Sequence, residues 1–349
     1  MFSEWEHNQP VEMTCIEKWA ETGDCVSIKL AHASLARFSF KPGQFVTLGV
    51  SIAGQSEFRA YSISSQPDEA YIQLTVKRVS NGKVSTFIVD QLEVGHSVQV
   101  MKPSGAFNCL DLAPRPSEDG IAKVLLISAG CGITPVYTMA QYWINQSHPV
   151  DIEFLHVAKS AAHTIYFDQL ATLDEQYAQF HLRLLLKDAT GTPYPQGRLT
   201  SDWLMQRVPD LQDRQVYLCG PEHFMCDVKQ WLEQAQFDMA DFHQESFIPA
   251  ATPEAISETV HTEVEIEVPA FARRLTAQHG AVLADALEQA GLPVIVACRS
   301  GICGSCKCKV TRGSVNTFSQ EALTEQEVAQ GYVLACSSTL SENIGVDIG

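Results

Sequence analysis

The stretch Cys298-Arg299-Ser300-Gly301-Ile302-Cys303-Gly304-Ser305-Cys306 spaces three thiols as C-x4-C-x2-C, and Cys336 follows in Gly331-Tyr332-Val333-Leu334-Ala335-Cys336. Three thiolates on one tight loop with a fourth from a distance is the plant-type ligand pattern of a [2Fe–2S] cluster. Iron of this kind is soft enough to prefer sulfur. Gly301 and Gly304 let the backbone fold close around a cluster and aim N–H groups at its sulfurs. A zinc site would pair C-x2-C with a second such pair or with histidines, and neither follows. Cys308 comes too soon after Cys306 and alternates off the next strand. The expected metal ligands are therefore Cys298, Cys303, Cys306 and Cys336.

Around this loop the pattern predicts strands at 263–268, 274–277, 307–311 and 343–348 and a helix at 282–290. Upstream, residues 249–259 are rich in Ala, Thr, Pro, Glu and Ser and read as a linker. Before that, β–α alternation sets in: strands at 123–129, 150–158, 181–186 and 216–219, helices at 135–145 and 222–236. This is the pattern of a doubly wound parallel sheet. Ser128-Ala129-Gly130-Cys131-Gly132-Ile133-Thr134-Pro135 leaves a buried strand and opens a helix, so Gly130 and Gly132 would let a pyrophosphate approach a positive helix terminus. G-x-G alone also fits a plain strand–helix turn, and the third glycine of the dinucleotide fingerprint is absent. A second turn of the same kind, Tyr217-Leu218-Cys219-Gly220-Pro221-Glu222, would lie at the same carboxyl edge.

Residues 114–120 shift to Pro, Ser, Asp and Gly and read as another linker. The segment before it is all-β, with short alternating runs at 26–30, 44–50, 71–78 and 97–102 and one helical stretch at 84–92. That spacing predicts a barrel or sandwich. Within it, Arg59-Ala60-Tyr61-Ser62-Ile63-Ser64 puts an Arg, an aromatic and a hydroxyl on one strand, suited to a phosphate, a flat ring and a ring carbonyl. Gly82-Lys83-Val84-Ser85 opens a helix whose N–H groups could hold pyrophosphate. An ordinary strand surface with a helix cap explains the same residues.

The 349 residues allow two or three domains, and 45% hydrophobic with 19% charged residues is an ordinary globular composition. No apolar run approaches the ~18 residues that span a bilayer. Met1-Phe2-Ser3-Glu4-Trp5-Glu6 has no signal-peptide pattern, so a cytoplasmic protein without a membrane span is expected. A net charge of −17 argues against nucleic acid. It suits a partner with a basic patch, and equally serves solubility alone. Eleven cysteines in a reducing compartment point to metal or redox chemistry. Most of those outside the cluster spacing (Cys15, Cys25, Cys109, Cys131, Cys219, Cys226, Cys308) read as small buried apolar residues.

Taken in order, the R-x-Y-S, G-x-x-S, G-x-G-x-T-P and C-G-P motifs and the C-terminal cysteines resemble the ferredoxin–NAD(P)+ reductase superfamily over nearly the whole chain. The resemblance implies a multidomain protein. It would have an antiparallel β-barrel flavin domain (8–113), an α/β doubly wound NAD domain (120–248), a linker (249–260) and an α+β β-grasp ferredoxin domain (261–349). It implies FAD contacts by Arg59, Tyr61, Ser62, Ile63, Gly82, Val84 and Ser85, with Phe247 closing over the flavin edge. It implies NAD contacts by Gly130, Gly132, Thr134, Cys219, Gly220 and Pro221, with Cys219 near the nicotinamide. The activity implied is that of an NADH-dependent flavin and iron–sulfur oxidoreductase: hydride goes to the flavin, and single electrons leave through the cluster to a protein acceptor. One lysine, Lys159, is a thin basis for recognising a 2′-phosphate, so NADH is expected over NADPH. Residues 59–65, 129–135, 197–200, 208–211, 297–306 and 331–336 are similar to the branch that serves the hybrid-cluster (prismane) protein. Reductases of Rieske-type oxygenases acting on betaine- or carnitine-like substrates share the domain order and the Glu245-Ser246-Phe247 segment. A redox-sensing [2Fe–2S] module is a third class, and it leaves the flavin and nicotinamide motifs without a use.

Overall fold

Alternation of side chains builds the first sheet. It contains β1 (Val11–Thr22), β2 (Cys25–Ala31), β3 (Phe45–Ile52), β4 (Gln55–Ser62), β5 (Ile72–Lys77) and β6 (Ser97–Val100) in the order β4-β3-β6-β1-β2-β5. Val26, Ile28 and Leu30 of β2 point into the barrel core with Val46, Leu48, Ile72, Leu74 and Val100. Helix α1 (Lys83–Asp90) closes that core with Val84 and Ile88. The computed structural model describes residue 5 and residues 10–247, 263–297, 299, 301, 303–320 and 322–348. Cys298 and the expected linker at 249–260 lie outside the described residues. The chain forms two compact units, Met1–Gln55 with Tyr61–Phe247, and Ser56–Ala60 with Ile248–Gly349.

The second sheet of the first unit is parallel throughout. Strands β7 (Ala122–Ala129), β8 (Val150–Ala158), β9 (Phe180–Leu186), β10 (Gln215–Cys219) and β11 (Phe242–Glu245) take the order β11-β10-β7-β8-β9. Both faces are covered, as a parallel sheet requires. Helix α2 (Ile133–Asn145) packs Val136, Met139, Ala140 and Trp143 on one face against Val124, Leu126, Ile152 and Phe154, and α3 (Phe167–Gln176) adds Leu170 there. On the other face, α4 (Ser201–Arg207) and α5 (Glu222–Gln234) set Leu204, Met225, Val228 and Leu232 against Leu125, Ile127, Val216 and Leu218. Arg214, 5% exposed, ties the strands at their amino ends. Its guanidinium donates to Asp210 at 2.8 and 2.9 Å, to Asp151 at 2.8 Å and to Val124 O at 3.1 Å. Strand order reverses between β7 and β10, the switch point outside whose carboxyl ends such sheets bind ligands.

The second unit has a mixed sheet. Its strands are β12 (Glu263–Val268), β13 (Arg273–Gln278), β14 (Lys307–Arg312), β15 (Val315–Thr317), β16 (Tyr332–Leu334), β17 (Ser338–Leu340) and β18 (Ile344–Asp347). The main order is β13-β12-β18-β14-β16, with β15-β17 as a separate pair, and β12–β18 is the parallel pairing. Helix α6 (Leu283–Gln289) packs Leu283, Ala284 and Leu287 against Val264, Ile266, Ile344 and Val346. The short α7 (Glu325–Ala329) is held by a capping box between Thr324 and Glu327. Among the described residues no helix is long and apolar enough to cross a membrane.

Candidate functional site

The two turns predicted from sequence meet at the switch point. Strand β7 runs into a 3-10 turn, Gly130–Gly132, and then α2. Gly130 has φ +55°, a conformation that favours glycine. Gly132 is required for another reason. A Cβ there would lie 2.2 Å from the carbonyl oxygen of Cys219 and 2.7 Å from the nitrogen of Gly220, so the glycine turn rests directly on the Cys-Gly-Pro turn. No side chain caps the start of α2, but the Ile133 N–H already bonds Gly130 O and Cys131 O and Pro135 has no N–H, so few N–H groups are free at this terminus. The buried Thr134 hydroxyl donates to Cys131 O at 3.0 Å and so shapes the turn. Thr138 Oγ1 lies 3.0 Å from Ile63 O and joins α2 to the segment after β4.

Four polar side chains stand side by side across the carboxyl ends of this sheet: Glu245 beside Cys219, Cys219 beside Ser128, and Ser128 beside His156. Burial pushes the Glu245 carboxyl up to about 8, and its Oε2 has no partner among the described residues. Burial, with the Glu245 charge adding to it, pushes the Cys219 thiol well up. Burial and then the Lys77 charge push the His156 imidazole down to about 3. Its Nδ1 lies 2.8 Å from Ser128 Oγ, and Nε2 has no partner among the described residues. Burial thus favours the neutral forms of Glu245, Cys219 and His156 at the ends of these strands. Sequence reasoning placed Cys219 but gave no chemical role to Glu245, Ser128 or His156. The signal was available, since Glu245 and Cys219 end their strands and Ser128 is next to last in its own.

The flavin motifs have the features a bound ring and pyrophosphate need. Ser62 is buried and its Oγ has no partner among the described residues, an expensive state unless a ligand supplies one. Tyr61 is partly buried, and Ile63 is buried with its N–H on Gln44 O at 2.9 Å. Gly82 caps α1 without a side-chain bond. A Cβ on it would lie 2.5 Å from Ser85 Oγ, and that hydroxyl accepts from the Val79 N–H at 3.2 Å. Ser85 thus folds the loop so that the Val84 and Ser85 N–H groups end at a free helix terminus. Tyr61 and Ser62 belong to the first unit and Arg59 to the second. Phe247 is 47% exposed.

In the second unit, Gly301 and Gly304 have φ +77° and +73°. A Cβ on Gly301 would lie 2.7 Å from Ser319 Cβ. The Ser319 hydroxyl donates to Gly301 O at 3.2 Å, and that of Ser337 donates to Ser319 O at 2.9 Å, so the loop is laced to the segment carrying Cys336. The Cys336 N–H points at Cys306 Sγ at 3.4 Å, and Ser305 Oγ lies 3.0 Å from Cys303 Sγ. Donors aimed at sulfur favour the thiolate form a cluster needs. Arg299, at φ +56°, pairs with Asp285 at 2.6 Å and Glu288 at 2.5 Å and pins the loop to α6. Cys306 and Cys336 are buried and Cys303 is partly exposed. Among the described residues no group of His, Cys, Asp and Glu side chains makes up a metal site, and the fourth expected thiolate, Cys298, is not among them. Cys308 is buried in the core of the second unit, as is Cys306 two residues before it.

Comparison with known proteins assigns each part. Residues 13–109 match an oxidoreductase FAD-binding domain, 126–230 an oxidoreductase NAD-binding domain and 271–341 a 2Fe-2S iron–sulfur cluster binding domain. The glycine betaine monooxygenase reductase subunit of Chromohalobacter salexigens is 32% identical over 95% of this chain and 94% of its own. NADH oxidoreductase HCR of Escherichia coli is 33% identical over 86% of each chain. The structure of phthalate dioxygenase reductase superposes with a TM-score of 0.61 at 22% identity, over 97% of this chain and 98% of that one, and shows the same three-domain fold. The chain is an NADH oxidoreductase of the electron-transfer type and belongs to the ferredoxin–NAD(P)+ reductase superfamily, in the form that joins FAD-binding, NAD-binding and 2Fe-2S ferredoxin domains.

Proposed function

We propose that this reductase draws electrons from NADH and delivers them one at a time to a hybrid-cluster protein. The likeness of residues 297–306 and 331–336, around the cluster loop, to reductases of that kind carries the reading, and the 33% identity to NADH oxidoreductase HCR supports it. FAD, when bound, supplies the exchange between a hydride and single electrons. The chain supplies place and surroundings. The uncapped terminus of α1 holds the pyrophosphate of FAD, and the Gly130–Gly132 turn before α2 gives that of NADH a close approach to the backbone. Ser62 Oγ meets the flavin ring and Tyr61 packs on it. The buried row from Glu245 to His156 keeps water from the nicotinamide end. Cys298, Cys303, Cys306 and Cys336 hold the cluster, and its partly exposed Cys303 side is the exit. A second reading, delivery to a Rieske-type oxygenase, is favoured by the 95% coverage of the glycine betaine monooxygenase reductase subunit. Reconstituted NADH oxidation with each purified acceptor decides between them. Turnover with the hybrid-cluster protein and none with a betaine oxygenase supports the first; the reverse overturns it.

A further inference from the structure

A row of hydroxyls crosses the outer face of the flavin barrel. Val26, Ile28 and Leu30 of β2 and Ile72, Leu74 and Val76 of β5 fill the barrel, so Ser27 and Thr75 point the other way, where they lie opposite each other in register. Both are buried, and their hydroxyl oxygens are 2.7 Å apart. Ser27 Oγ donates onward to Glu21 Oε1 at 2.6 Å, near the end of β1, where the side chain is partly exposed. Trp19 Nε1 donates to the same oxygen at 2.7 Å. The inner end of the row stands among the residues of the candidate site. Ile63 bridges Leu74 in the antiparallel sense and both fill the barrel, so Ser62 and Thr75 come side by side on its outer face. Thr75 Oγ1 lies 2.5 Å from the Tyr166 hydroxyl and 3.2 Å from Ser64 Oγ, and Thr75 O accepts from the Cys131 thiol of the nicotinamide turn at 3.5 Å. All of these residues belong to one compact unit.

Chemistry fixes the direction of the row. A carboxylate only accepts, so Ser27 gives its one proton to Glu21 and must accept from Thr75. Thr75 in turn donates to Ser27 and offers its remaining lone pairs to Tyr166 and Ser64. The O–H bonds of Thr75 and Ser27 thus point from the site toward solvent. The reaction needs such an outlet. Each NADH yields NAD+, two electrons and one proton, and when the electrons leave singly the proton stays behind. We propose that Thr75, Ser27 and Glu21 form a relay that carries this proton from the flavin site to solvent. Thr75 takes it on a lone pair and passes its own proton to Ser27, Ser27 passes its own to Glu21, and the Glu21 carboxyl gives it to water. Rotation of the two hydroxyls resets the row, and no bond between heavy atoms forms or breaks. The inner end rests on the proposed meeting of Ser62 with the flavin ring, a placing that weaker FAD binding on Ser62→Ala checks on its own.

A single turnover of the FAD- and cluster-loaded protein with NADH and excess ferricyanide, in weak buffer with a pH dye, reads electrons and the proton separately, because ferricyanide takes electrons without protons. In the wild type the dye is expected to keep pace with ferricyanide, and deuterium oxide to slow the dye signal. Thr75→Val and Glu21→Gln should slow proton release by roughly 100-fold. Thr75→Ser, which keeps the hydroxyl, should restore it. The infrared difference spectrum during turnover should carry a transient protonated-carboxyl band that is absent in Glu21→Gln. Should Thr75→Val fail to fold, Glu21→Gln, at a partly exposed position, carries the comparison alone. Proton release at the wild-type rate in Glu21→Gln, or a slowing in Thr75→Val that Thr75→Ser shares, overturns the proposal.

Discussion

Replacing Gly132 with alanine puts one methyl group where two backbones touch. The nearest obstacles are Cys219 O at 2.2 Å, Cys219 C at 2.5 Å and Gly220 N at 2.7 Å, whereas ordinary contact begins at 3.4 Å. None is the free end of a side chain, so the two turns must part by about 1 Å. Overpacking of this kind costs about 1–3 kcal/mol of stability. The larger effect is on NADH, because a displacement of about 1 Å at a reacting site costs roughly 100-fold in rate. The row beginning at Cys219 moves with its turn, while the barrel and the cluster loop do not. Steady-state kcat/KM for NADH with ferricyanide, FAD occupancy by absorbance and Tm are the assay. Gly23→Ala, with nothing within 4 Å of its Cβ and no positive φ, is the control. Lowered kcat/KM and Tm with FAD retained is the expected outcome. Unchanged kcat/KM and Tm in Gly132→Ala would refute the claim that the two turns build one site.

Ser62→Ala removes a buried hydroxyl that lacks a partner among the described residues. The flavin-free protein should keep its Tm or gain slightly, while FAD binds more weakly by about 1–3 kcal/mol in titration calorimetry; a lowered Tm of the flavin-free protein would mean the hydroxyl is structural. Glu245 has its carboxyl raised from 4.5 to about 8, so the folded state retains a proton that the unfolded chain releases. Its contribution is full below pH 4.5 and is lost as pH rises toward about 8. Glu245→Gln should therefore flatten the decline of Tm across that window, and a parallel decline in both proteins would count against the shift. Arg214→Met leaves Asp151 without its cation and Asp210 with Lys123 alone. Both carboxylates are about a third exposed, so it should cost about 1–3 kcal/mol in urea unfolding, with less lost on Arg207→Met, an exposed site. With a net charge of −17, kcat/KM for the protein acceptor should fall as salt rises, while that for ferricyanide, a small anion, should not.

The elements read correctly from sequence were those with an internal signal. The apolar run of β7 between two turns, and the glycine turn opening α2, are local patterns. The elements missed lack one. Helix α3 has weak amphipathicity and starts after Tyr166 in a left-handed conformation with no side-chain cap, held by the Tyr166 hydroxyl on Thr75 Oγ1 at 2.5 Å. Strand β11 is four mostly polar residues that become a strand only by pairing with β10. The helix expected at 222–236 stops at Gln234, and Gln236 turns to φ +55° so that Phe237 can reach the core. The candidate site follows the same division. Glycines and cysteines with fixed spacing were legible. The row of Glu245, Cys219, Ser128 and His156 comes from three strands far apart in sequence plus β8, and it exists only once their registers are fixed.

Anaerobic mixing of the loaded protein with stoichiometric NADH tests the central claim most directly. Flavin absorbance should bleach first and cluster absorbance should then fall. Cys336→Ser, which removes one thiolate, should keep the flavin step and lose the cluster step. A flavin left oxidised by NADH, or a cluster that is formed and reduced normally in Cys336→Ser, would contradict the account.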